Sequence, residues 1–170
     1  MPSPLFLTKV ITLEHDSKSI RPRALALFTT MARRAVGLGG DLGIRITSNT
    51  EMRDLNRRFR RKNKATDVLS FPSGTPKLSG DIAISAEIAA DNAEKLGHSL
   101  ETELKILILH GLLHLAGFDH EIDNGEMAAK EAKLRVRLNL PVSLIERANR
   151  HSPVLKRKTA ARRARQGRRR

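Results

Sequence analysis

The chain has 170 residues with a formal net charge of +14, no cysteine and only five aromatic residues, all phenylalanine. That length suits one domain able to bury a core, and the missing thiols exclude disulfides and thiolate metal sites. The N-terminal stretch MPSPLFLTKVITLEHD lacks a basic segment followed by a long apolar run, and no eighteen apolar residues are consecutive, so neither a signal peptide nor a membrane span is expected.

The residues from 1 to 150 alternate strand-like and helix-like segments. Leu5–Leu13 is rich in β-branched residues and predicts a first strand. Arg21–Leu38 repeats apolar residues at helical spacing (Leu25, Phe28, Ala32, then Ala35 or Val36) and ends at Gly37, Gly39 and Gly40. Leu42–Thr47 predicts a second strand with Ile44 and Ile46 inward and Arg45 outward. Ser48 and Glu51 then have the spacing of a capping box, opening a helix to about Arg60, with Leu55 and Phe59 toward the core. Asp67–Phe71, closed by Pro72, and Asp81–Ser85 predict two more strands, joined by the loop SGTPKLSG. Helices follow over Ala86–Leu96 and Glu101–Ala116. A last helix starts at Asp123-x-x-Glu126 and runs through Leu138, supported by the i,i+4 pairs Glu126–Lys130 and Glu131–Arg135. The expected architecture is α+β: one four-stranded mixed sheet packed against about five helices, with residues 1–150 as a single domain.

Residues 156–170 hold nine basic and no acidic residues, leaving 23 basic against 18 acidic residues in the rest. Residues 156–170 have no apolar side chain larger than alanine, and residues 151–170 are expected to form a disordered arginine-rich tail, read as an electrostatic arm for nucleic acid.

Three of the six histidines fall within ILILHGLLHLAGFDHE, as His110-x3-His114-x5-His120. Helix positions four apart share a face, with Cβ atoms about 5–6 Å apart, close enough to ligate one cation. Gly117 can end the helix and let the chain fold His120 back toward the other two. Buried imidazoles among leucines and isoleucines need partners, and a metal supplies one. Three protein ligands leave a coordination position open, the pattern of catalytic rather than structural zinc. His15, His98 and His151 are scattered and read as surface residues. The H-E-x-x-H peptidase helix carries a glutamate after its first histidine; position 111 is Gly111, which counts against peptide hydrolysis on the same ligand set.

A second cationic element precedes the third strand. Residues 53–64 contain Arg53, Arg57, Arg58, Arg60, Arg61, Lys62 and Lys64 against one acid. Arginine forks match phosphate oxygens, and a metal with an arginine suits a phosphodiester transition state.

His110 to His120 (HGLLHLAGFDH) is similar to the HGxLHLxGyDH signature of the YbeY family, and Asn56 to Pro72, ending TDVLSFP, resembles that family's other hallmark. The likeness spans residues 1–145. It implies a small zincin-like domain and a bacterial zinc-dependent endoribonuclease that cleaves single-stranded RNA, maturing the 3′ end of small-subunit ribosomal RNA and serving ribosome quality control. By the same resemblance His110, His114 and His120 would hold one Zn2+ per chain, and Arg60 would act with His114 in catalysis. Arg57, Arg58, Arg60, Arg61, Lys62 and Lys64 are expected to contact RNA. Asp119 either orients an imidazole from the second shell or shapes the turn. The usual Lys-Asp ahead of the strand is Lys62-Asn63 here, and the usual proline before Thr66 is Ala65. The expected partners are RNA and the small ribosomal subunit, with no membrane, in a cytoplasmic monomer. Water or the RNA 2′-hydroxyl remains open as the nucleophile. A metallopeptidase-like hydrolase and a non-enzymatic ribosome-assembly protein braced by zinc are the rival readings.

Overall fold

The computed structural model describes residues 11–13, 20–75 and 78–141. The expected arginine-rich tail, His15, His151 and residues 5–10 of the expected first strand lie outside these. The elements are β1 (Ile11–Leu13), α1 (Pro22–Val36), β2 (Asp41–Thr47), α2 (Asn49–Arg60), β3 (Val68–Thr75), β4 (Leu78–Ser85), α3 (Ala86–Leu96), α4 (Leu100–Leu115) and α5 (Glu126–Arg137). The architecture is α+β, with five helices among the described residues.

The strands lie in the order β1-β2-β4-β3. β2 runs parallel to β1 and β4, whereas β3 is antiparallel to β4, so the sheet is mixed. β2, β4 and β3 form its body, and the three-residue β1 borders β2. Alternate residues face opposite sides. Ile44, Ile46, Ile82 and Ile84 enter the larger core with Leu25 and Phe28 of α1 and the leucines of α4. Ala83 and Leu69 face the other way, against Met52 and Leu55 of α2.

β3 continues past its expected end at Pro72, reaching Thr75. A proline removes one ladder donor, and β3 tolerates it because it is an edge strand with a neighbour on one side only. The register shifts between Pro72 and Thr75, and much of the expected loop is thus hairpin.

The capping expectation holds by half. Ser48 Oγ accepts from the Glu51 N–H at 3.4 Å, but the Glu51 carboxylate accepts from Thr47 Oγ1 at 2.5 Å and pairs with Arg45 at 3.0 Å. Helix α2 is thereby tied to β2. At the last helix, Asp123 accepts from the N–H groups of Gly125 (2.8 Å) and Met127 (2.9 Å), so the helix opens at Glu126. The expected pair of Glu131 and Arg135 forms, at 2.7 Å, and both residues are buried.

Helix α4 is central, and eleven of its sixteen residues are buried. Gly111 lets it approach the sheet: a Cβ there would lie 3.0 Å from two Ile82 side-chain carbons and 3.2 Å from Ser70 Oγ. Ser70 Oγ also donates to the Gly111 carbonyl at 3.1 Å. These contacts fix the helix against β3 and β4, and with it the height of the histidines on either side of Gly111. Among the described residues no helix is long and apolar enough to cross a membrane.

Candidate metal centre

The turn after α4 forms as the glycine demands. Gly117 has φ of 89°, its N–H donates to the His114 carbonyl, and the Phe118 N–H donates to the Leu113 carbonyl. This double bond pattern satisfies the last helical carbonyls and reverses the chain. Asp119 then accepts from the Glu121 N–H at 3.0 Å through Oδ1, closing the turn that presents His120.

The three rings meet. Their centroids are 4.8 Å (His110–His114), 5.2 Å (His110–His120) and 5.3 Å (His114–His120) apart, and one ligand atom from each lies within 4.8 Å of the others. Nε2 of His110 and Nε2 of His114 are 3.1 Å apart. Two imidazole nitrogens about 2.0–2.1 Å from one tetrahedral ion would stand roughly 3.3 Å apart, so this pair fits a shared cation. Exposure rises along the set, from buried His110 through half-buried His114 to exposed His120, where solvent reaches it.

The electrostatics suit a cation as well. Burial first, then the neighbouring His110 and His120, push His114 down from 6.5 to about 4; Asp119 opposes them, and the Arg60 charge adds the smallest downward effect. His114 is therefore neutral near neutral pH, with a lone pair to give. Imidazole donors accept several first-row divalent ions.

Arg60, 54 positions before His114, acts on that ring through its charge, the smallest of the influences on it. It is the last residue of α2 and is exposed. Arg61 follows in the left-handed conformation (φ 57°), and its N–H donates to the Asn56 carbonyl. Buried Asn56 also donates from Nδ2 to the Lys64 carbonyl at 2.7 Å, anchoring the basic loop. Arg53 Nε donates to Asn63 at 2.9 Å, so asparagine serves this contact where the related pattern has an acid. Arg57 pairs with Asp54 at 3.1 Å. Arg58, Arg61, Lys62 and Lys64 are exposed on the helix end and loop. Phe59, expected in the core, is 43% exposed and meets Phe71 edge to face at 5.0 Å.

Three expectations change here. His98, read as a surface residue, contacts the buried Glu103 at 2.7 Å. Asp119 shapes the turn and also acts on His114 through its charge. The carboxylate in contact with a ligand ring belongs to Glu131, fully buried, with Oε2 3.2 Å from His110 Nδ1. A signal was present in the sequence: Glu131 lies in the stripe Met127, Glu131, Leu134, Leu138, an acid at a position otherwise apolar.

Residues 9–139 match the family model described as Endoribonuclease YbeY. A relative of that name from Koribacter versatilis is 56% identical over 138 residues, covering 81% of this chain and 91% of the relative. One from Aquifex aeolicus is 41% identical over 143 residues, covering 81% and 93%. The solution structure of TM1509 from Thermotoga maritima superposes with a TM-score of 0.55 at 28% identity, covering 76% of this chain and 88% of that one.

Proposed function

Since the chain belongs to the YbeY endoribonuclease family, we propose that it is a zinc-dependent endoribonuclease of single-stranded RNA, acting in the cytoplasm on the 3′ end of small-subunit ribosomal RNA and in ribosome quality control. The observation that carries this reading is the convergence of three imidazoles, one of which feels the charge of Arg60. We read the fold as zincin-like, with an antiparallel edge strand lying along the ligand helix, and residues 1–150 as one domain acting as a monomer.

His110, His114 and His120 would hold the ion. A divalent cation there supplies Lewis-acid polarisation of a phosphoryl oxygen and activation of water. Arg60 contributes a planar fork that donates to two phosphate oxygens and offsets the charge that grows on them. The exposed cations Arg57, Arg58, Arg61, Lys62 and Lys64 hold the strand through its phosphates, which positions RNA without reading its sequence. The basic tail extends that attraction.

Gly111 separates this site from a peptidase. A side chain at 111 meets Ile82 and Ser70, so the sheet occupies the place from which a glutamate would act.

The test is metal analysis of the purified protein beside cleavage of a single-stranded ribosomal RNA fragment. One zinc per chain is expected. His114→Ala loses metal and cleavage together, and Arg60→Ala keeps the metal while slowing cleavage by about 10²–10³-fold. Undiminished cleavage by His114→Ala refutes the proposal. A 5′-hydroxyl with a 2′,3′-cyclic phosphate assigns attack to the RNA 2′-hydroxyl, and a 5′-phosphate assigns it to water.

A further inference from the structure

Behind the ligand cluster, on the side away from solvent, runs a buried polar chain that the reaction does not consume. Glu131 of α5 is 0% exposed and Arg135, one turn on, is 3% exposed. Glu131 Oε2 stands 3.2 Å from His110 Nδ1. Its Oε1 accepts from Arg135 Nε at 2.8 Å and lies 2.7 Å from Nη2. Arg135 Nη1 in turn donates to the Pro141 carbonyl at 2.7 Å, and the Leu140 N–H closes back on the Arg135 carbonyl at 2.8 Å. Four groups on α4, α5 and the segment after α5 are thus linked in series.

Stability alone does not account for such a chain. A buried ion pair is commonly replaced by apolar side chains of similar volume without loss of stability. What apolar residues cannot do is choose between the two tautomers of a neutral imidazole. A carboxylate offers acceptors only, so a ring facing it through Nδ1 carries its proton there and leaves the Nε2 lone pair bare. In His110 that bare atom is the one directed at His114 Nε2, 3.1 Å away.

The geometry points to Glu131 as the positioning residue of the metal centre: it fixes His110 in the Nδ1–H tautomer and ring orientation that present Nε2 to the ion, and Arg135, tethered to Pro141, holds Glu131 in place. Carboxylates behind ligating histidines do this generally. The assignment rests on the proposed metal-dependent function and names the residue outside the ligand set on which ion affinity depends.

The test uses the full-length protein. Imidazole nitrogen NMR of the metal-free wild type reads the His110 tautomer, and chelator competition with zinc reads affinity for Glu131→Gln, for Glu131→Leu/Arg135→Met, and for Glu103→Gln, a buried carboxylate that contacts His98 at the other end of α4. The wild type is expected to show the proton on Nδ1. Glu131→Gln, which still offers an acceptor, retains that tautomer and loses about 10-fold in affinity, whereas the double variant mixes tautomers and approaches a 100-fold loss. Glu103→Gln binds zinc as the wild type does. The wild-type spectrum and Glu131→Gln decide the matter even if the double variant fails to fold. A wild-type His110 with its proton on Nε2, or Glu131→Gln with unchanged affinity and metal still bound by the wild type, overturns the inference and leaves the nuclease reading standing. A wild type that binds no divalent ion overturns both.

Discussion

Gly80→Ala tests the register on which the metal centre is built. Gly80 lies opposite Pro72 in the β3–β4 ladder with φ of 132°, a conformation that side chains rarely adopt. A Cβ there would stand 2.3 Å from the Phe71 carbonyl oxygen, 3.1 Å from its carbon and 3.0 Å from Leu115 Cδ2. The oxygen is backbone of the paired strand, so no rotamer change relieves the overlap. Either the strands part or the backbone of residue 80 turns. Strained dihedrals cost about 1–3 kcal/mol and overpacking about 1–3 kcal/mol, so the combined loss is about 2–6 kcal/mol, a large share of the roughly 5–15 kcal/mol that holds a domain of this size folded. Urea unfolding followed by circular dichroism measures it, with Gly39→Ala as control. Gly39 has no positive φ and open space around its Cβ position, so that variant stays within about 0.5 kcal/mol of the wild type or gains up to about 1 kcal/mol. Leu115 adjoins His114, so Gly80→Ala also weakens zinc binding. A Gly80→Ala protein with the wild-type midpoint and slope refutes the described approach of β3, β4 and α4.

Gly111→Glu restores the H-E-x-x-H spelling, yet its side chain meets Ile82 and Ser70; it is expected to destabilise the fold by several kcal/mol and to confer no cleavage of an unstructured peptide, read by urea unfolding and a fluorogenic peptide assay. His114 carries a pH dependence. Its folded value of about 4 lies below the 6.5 of the unfolded chain, so between these values the unfolded state binds more protons. The metal-free protein is therefore expected to lose stability as pH falls from 6.5 toward 4, and His114→Gln to flatten that slope in unfolding curves taken across the range. Zinc at 100 times its dissociation constant should stabilise the folded protein by about 2.7 kcal/mol, and a chelator should reverse the gain in a thermal melt.

The ligand pair His110 and His114 was legible because helical spacing is a local property: residues four apart share a face whatever packs around them. The turn at Gly117 was legible for the same reason, since the backbone closes it within four residues. The cationic residues around Arg60 could be read as a group, but the action of the Arg60 charge on a histidine 54 positions later could not. The edge position of β3, which lets the strand run through Pro72, depends on the order in which strands assemble. Phe59 follows the helical period of Leu55 yet stays half exposed, because the small core beneath α2 holds only Met52, Leu55, Leu69 and Ala83 as buried side chains.

The chain alone therefore determined which imidazoles would come together, through periodicity, capping and a glycine in the one conformation that turns the helix back. Tertiary packing decided which partners those rings meet. Glu131 and His110 are 21 positions apart, and although the apolar stripe of α5 marks Glu131 as facing inward, nothing local says which group it meets. The partner is fixed only when α5 closes over α4, because pairing is a property of two surfaces in contact.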